Sequence, residues 1–410
     1  MIRLVFLALV LLSAPSRSEA LGLPLPRLPA TLPPPVQDRL DHTGHELRRL
    51  RERALLREHR RWLEADPRGA PVVRSEVVAI APDPAALARA RAAGFVPIRE
   101  STLTPLDLRV VVLRAPDGVR VRTALKRLAR IDPEGHYDYN HLYLGSGENV
   151  AGTPTNTARR PAAASGVRIG LVDGGVDAGH GLFSGATVTQ WGCEGNHRPD
   201  GHGTAVASLL AGEGDHLFAA DIYCGRATGG AVTSLAEALA WLAGERVAVI
   251  NLSLVGPPNR LLEILVQAMQ QRGHVLVAAV GNDGPAARPL FPAAYPGVIG
   301  VTAVDAANRA LPEAAQGDAV DFAAPGNGLW AAQPGQRRSQ VRGTSFAAPL
   351  VARLAAAEAA VPGPGTHEHV LQALAANAQD LGRRGRDPRY GHGLLASEAR
   401  TTWAPPVNED

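Results

Sequence analysis

The chain has 410 residues, 45% hydrophobic and 20% charged, which excludes a disordered chain and suffices for two or three domains with real cores. Two cysteines are too few for a disulfide scaffold or a cysteine zinc cluster. The net charge of +3 is uneven: residues 1–160 hold 25 Lys and Arg against 17 Asp and Glu, a balance of +8, and residues 161–410 hold 17 against 22, a balance of −5. No basic face with interleaved aromatics accompanies it, which argues against a nucleic-acid partner.

In chain order, Arg3 precedes an apolar run over residues 4–12, and Ser18-Glu19-Ala20 offers small residues where a signal peptidase reads. Residues 1–20 are predicted to be a secretory signal peptide cut after Ala20. The run is short for a membrane span, so no stable span is expected after cleavage, an uncleaved anchor being the alternative. Export places the protein outside the cytoplasm, secreted or periplasmic. There Cys193 and Cys224 can pair, the alternative being two separate buried thiols.

Residues 21–71 form a leader. Its first part, LPLPRLPATLPPP, is Pro-rich and extended. The span 44–65 is predicted as one Arg-rich helix, with Leu47, Leu50, Ala54, Leu55 and Trp62 as an apolar stripe. A membrane or partner helix would look this way, and so would a helix packed on a neighbouring domain with its arginines in water. Residues 72–144 follow a βαββαβ rhythm, the ferredoxin-like order. The order runs VVRSEVVAIA, DPAALARARAAG, FVPIREST, LRVVVLRA, VRTALKRLARI and HYDYNHLYL. Residues 145–166 are small and polar without periodicity, and are predicted to be an exposed linker open to cleavage. From 167 to 397 apolar strands alternate with helices, which predicts a parallel sheet covered on both faces. Residues 398–410 are a short tail.

Polar residues stand at element ends in this α/β region, where such sheets collect their reactive groups. Asp173 ends the strand of GLVDGGVD. His202 lies in DGHGTAVAS and Ser345 in GTSFAAPLVA, both next to helix starts, and Asn282 closes VLVAAVGNDGP. Singly, each has a bland reading as a turn, cap or core residue. Together, in the order Asp, His, Ser, the segments resemble the subtilisin-like serine proteases, the subtilase or S8 family, over residues 167 to about 397. The resemblance implies a serine endopeptidase working through an acyl-enzyme. Ser345 would be the nucleophile, His202 its base and Asp173 the group that orients the imidazole. The Asn282 amide and the Ser345 N–H would form the oxyanion hole.

The resemblance also implies a groove. Ser253, Leu254, Val255 and Gly256 would pair with an extended substrate, and Ala279 and Gly281 lie on the opposite wall of the specificity pocket. That small-residue wall implies room for an apolar or medium-sized side chain, whereas Val255, standing where glycine is frequent, would narrow a pocket, so the sequence leaves the specificity open; Gly174 stands where Ser or Thr is usual. His180 resembles a structural histidine. By order and position, 72–144 resembles the family's propeptide domain, an intramolecular chaperone and inhibitor removed autocatalytically within about 140–166. Its basic charge suits the acidic remainder. Protein or peptide substrates and a monomer are expected. No catalytic cofactor or metal is implied. Calcium is common in the family, but Asp177, Asp215 and Asp221 form no loop motif. A dead scaffold used for binding is the rival reading. Within enzymes, the sequence leaves broad digestion and narrow processing as alternatives.

Overall fold

The computed structural model describes residues 46, 48–145, 147–150, 166–226 and 228–397. The expected signal peptide, Pro-rich stretch and C-terminal tail lie outside them, as does most of the linker. Among the described residues no helix is long and apolar enough to cross a membrane.

The N-terminal unit opens with helix α1 over residues 48–58. Strand β1 (Leu63–Ala65), β2 (Pro71–Ile80), α2 (Pro84–Ala92), β3 (Val96–Leu103), β4 (Leu108–Arg114), α3 (Val121–Ile131) and β5 (His136–Gly145) follow. The four long strands run β5-β2-β4-β3, all antiparallel. That is the ferredoxin-like arrangement expected from the βαββαβ rhythm. The Asp83 side chain caps α2, and Gly94, at φ +87°, lets the chain turn out of it. Val77, Ala79, Val111 and Leu113 pack against α2 and α3.

The leader differs from its sequence reading. Among the described residues the predicted helix over 44–65 is helical at Glu46 and over 48–58, and Leu63–Ala65 instead extends the sheet against β2. The apolar stripe fails as well: Trp62 is 72% and Leu50 55% exposed, and Leu47 lies outside the described residues. The inward residue is Leu63, whose place on β1 a 3.6-residue period does not anticipate.

The second unit holds β7 (Arg168–Asp173), β8 (Thr187–Trp191), α4 (Gly201–Leu210), β9 (His216–Asp221), β10 (Gly230–Ala231) and α5 (Val232–Gly244). It continues through β11 (Val249–Leu252), β12 (Leu254–Val255), α6 (Arg260–Gln271), β13 (Val275–Ala279), β14 (Ile299–Val304) and β15 (Phe322–Pro325). The pair β16 (Asn327–Gln333) and β17 (Arg337–Arg342), then α7 (Thr344–Ala357) and α8 (Thr366–Asn377), complete it. The parallel sheet runs β15-β14-β13-β11-β7-β9-β8. One face packs on α4, α7 and α8. The other packs on α5 and α6, and its apolar cluster continues into Val78, Ile80, Leu108 and Val110 of the N-terminal sheet. The two units therefore share a core.

Between them, Glu148–Val150 forms β6, which pairs with β17. The sequence placed these residues in a structureless linker. They pair with β17 through backbone hydrogen bonds, which any residue type can form and which leave no period in the sequence.

Candidate active site

Asp173 is the last residue of β7, at the carboxyl end of the parallel sheet and wholly buried. Its carboxylate accepts from His202 Nδ1 at 2.9 and 3.0 Å. Burial pushes the Asp173 carboxyl up. Burial alone would pull the His202 imidazole down, but the adjacent Asp173 charge and hydrogen bond outweigh it and hold the ring above its ordinary value. His202 Nε2 has no hydrogen-bond partner among the described residues.

His202 sits in the first turn of α4, not before it. Asp200 caps that helix, accepting from the N–H groups of His202 and Gly203, both at 2.9 Å. The positioning role of Asp200 was missed in the sequence, although an Asp two residues before His202 is a readable N-cap. Gly174 now has a reason: a Cβ there would stand 2.7 Å from Asp200 Cβ. The glycine makes room for the cap.

Ser345 lies in the first turn of α7 and is fully buried. Its Oγ donates to the Ser253 carbonyl at 3.1 Å, and the Ser253 hydroxyl donates to the Ser345 carbonyl at 2.7 Å. Phe346, the next residue, packs 5.3 Å from the His202 ring, centroid to centroid. The helix dipole places positive potential at Ser345. Asn282 lies three residues beyond β13, and its Oδ1 accepts from Thr344 N–H at 3.1 Å. That bond fixes which end of the amide faces the α7 start.

Two of the four predicted edge residues pair with β5: Leu254 with Gly145 and Val255 with Leu144, antiparallel. Ser253 instead supports Ser345, and Gly256 exchanges both backbone bonds with Phe291. On the other side β10 pairs Gly230 with Tyr143 and Ala231 with Leu142. The end of β5 is thus held between two strands of the second unit. Beyond it, Gly145 lies against His202 and Gly147 against Phe346, and β6 continues along β17. Ala279 ends β13, buried, and Gly281 faces Leu290 and Val255. Leu290 is a pocket residue that no sequence motif flags, because it arrives from an irregular loop.

Cys193 and Cys224 form a disulfide with a Cα–Cα distance of 5.3 Å. His180 caps a short turn and bonds the Arg337 carbonyl. Asp177, Asp215 and Asp221 are separately engaged: Asp177 and Asp221 accept from backbone N–H groups, and Asp215 does the same while pairing with Arg353.

The subtilase family profile matches residues 164–393. The chain is 31% identical over 261 residues to subtilisin BL of Lederbergia lenta, covering 59% of this chain and 93% of that one. It is 29% identical over 248 residues to minor extracellular protease Epr of Bacillus subtilis (strain 168), 58% of this chain but only 38% of that relative. Among solved structures, fervidolysin of Fervidobacterium pennivorans, described as a keratinolytic enzyme related to subtilisin, matches with a TM-score of 0.68 at 18% identity. The match covers 80% of this chain and 61% of that one, a likeness of fold. The buried Asp–His pair at the carboxyl end of a parallel sheet, the serine at a helix start and the matched segment agree, and the chain belongs to the subtilase family of serine peptidases.

Proposed function

We propose that this chain is a secreted serine endopeptidase made as a zymogen, whose residues 72–146 inhibit the catalytic unit until it cuts itself free. One observation carries the reading. The end of β5 lies between β10 and β12 as an added strand, the way an extended substrate binds. Its continuation passes His202 and Phe346 on either side of residue 146, which lies outside the described residues.

In this reading Ser345 Oγ attacks the Ser146 carbonyl carbon and gives its proton to His202 Nε2. Asp173 holds the imidazole through Nδ1 and balances its charge. The oxyanion is met by the Asn282 side-chain N–H and the Ser345 backbone N–H. His202 returns the proton to the Gly147 nitrogen as the C–N bond breaks. Water then hydrolyses the acyl-enzyme by the same proton route. For the attack, the Ser345 hydroxyl, which donates to the Ser253 carbonyl, turns from that carbonyl to His202 Nε2.

The cut N-terminal unit stays bound because its own groups cap the enzyme's helices. Asp138 accepts from Arg260 N–H at the start of α6 at 2.6 Å, and Asn140 accepts from Thr233 N–H at the start of α5 at 3.4 Å. Calcium remains an expectation without support from these residues. Fluorophosphonate labelling of the exported protein tests the reading. Label on Ser345 supports a live enzyme, and its absence from folded, processed protein would leave the dead scaffold.

A further inference from the structure

We propose that the processed enzyme is a narrow protease: it selects a tyrosine three residues before the cleaved position and accepts only a small residue at that position. This rests on the zymogen reading above, since it takes β5 as the bound ligand. Tyr143 is fully buried, although it belongs to the segment that would leave. Its hydroxyl donates to the Pro257 carbonyl at 2.8 Å. Its ring occupies the space over Gly256, where a Cβ would stand 2.5 Å from Cδ1 and Cε1. Ile222, Val232, Leu254 and Leu261 share its apolar cluster. The slot is therefore built by the catalytic unit, is deep enough for a six-membered ring, and ends in a backbone acceptor. A phenylalanine would fill it and strand that acceptor, which is how a buried polar group discriminates.

The second wall is at Gly281. A Cβ there would meet Leu290 Cδ1 at 2.5 Å and Val255 Cγ1 at 3.7 Å. Both side chains are buried, Leu290 at 9% and Val255 at 4% exposure. They fill the space that glycines at 255 and 281 would otherwise leave beside the nucleophile. Leu290 also lines a cavity of about 720 Å³ with Val280, Phe291 and Tyr295, so trimming it joins that space to the groove. The sequence HLYLGSG carries the residue types that both limits call for, a tyrosine at 143 and a small serine three positions later.

The test uses processed wild-type protein and peptides of sequence HLYLGSGEN, with Tyr→Phe, Tyr→Ala or Ser→Leu changes. Expected kcat/KM falls about tenfold or more for Phe and at least about a hundredfold for Ala, from lost bonding and burial. Leucine in place of serine costs at least about a hundredfold by overpacking. The Leu290→Ala enzyme recovers about tenfold or more on the leucine peptide, and Val255→Ala provides a second opening of the same wall if the first variant does not label. Equal rates on all four peptides by fluorophosphonate-labelled enzyme overturn the inference and leave the zymogen reading intact. Neither label nor hydrolysis of any peptide or casein defeats both.

Discussion

Gly145 lies against the His202 imidazole, so close that a Cβ on residue 145 would stand 3.0 Å from Cε1 and 3.1 Å from both ring nitrogens. A β-branched residue there must push the ring or lift the strand. Gly145→Val is expected to slow release of the N-terminal unit at least tenfold while leaving processed enzyme, supplied separately, unchanged on casein. The time course of fragment appearance on a gel checks it, and an unaltered rate would show that this contact does not constrain cleavage.

In the proposed mechanism His202 must be neutral to take a proton, and Asp173 holds its pKa above the ordinary 6.5. Activity is therefore lost as pH falls, with a midpoint above 6.5. Asp173→Asn removes the charge that raises the ring, so its remaining activity should fall off at lower pH. A profile of kcat/KM against pH for both proteins decides this.

Asn282→Ala removes the proposed oxyanion donor and also the acceptor for Thr344 N–H. Turnover should drop about 10²–10³-fold, with fluorophosphonate labelling still detectable. Unchanged turnover in a folded variant rules out the assigned role.

Asp138 and Asn140 cap α6 and α5 across the shared core, each worth about 1 kcal/mol as a helix cap. Asp138→Ala with Asn140→Ala in the isolated N-terminal fragment should weaken its inhibition of processed enzyme about tenfold or more. The Arg48–Asp283 pair, 3.2 Å and next to Asn282, is partly exposed, so Arg48→Ala should change the same constant only a fewfold. Inhibition constants measured side by side separate the two contributions.

The Cys193–Cys224 bridge closes a loop of sequence separation 31, worth about 3.5 kcal/mol in the chain-entropy view. Labelling the denatured, unreduced protein should find no free thiol. Cys193→Ser with Cys224→Ser should lower the melting temperature without loss of casein hydrolysis.

The sequence carries the site where chemistry and backbone demands are packed into contiguous segments. HGTAVAS and GTSFAAP place a reactive side chain and the small residues its helix start needs within a few positions, and Asp173 ends a strand whose apolar run is plain. The ferredoxin-like order is legible from local signals too: the apolar runs of β2 and β4, the Asp83 cap and Gly94 that bound α2, and the strongly amphipathic α3. Long-range relations are silent. Nothing in HYDYNHLYL says that Asp138 and Asn140 cap helices about a hundred residues away, or that Tyr143 is buried in another unit's core. Glu148–Val150 pairs with β17 through backbone bonds that any residue can form, and Leu290 reaches Gly281 from a loop. The helix read over 44–65 ran too long because its Arg, Leu and Glu favour helix, while β1 forms only through pairing with β2, a tertiary effect local propensity cannot contain.

The central claim, that Ser345 cuts its own chain at residue 146, is tested most directly by intact mass and N-terminal sequencing of wild type and Ser345→Ala, each expressed without other proteases. The account predicts a wild-type fragment beginning at Gly147 and an uncut Ser345→Ala chain that still holds its N-terminal unit. An equally processed Ser345→Ala protein, or active wild type still carrying residues 72–144 covalently attached, would contradict it.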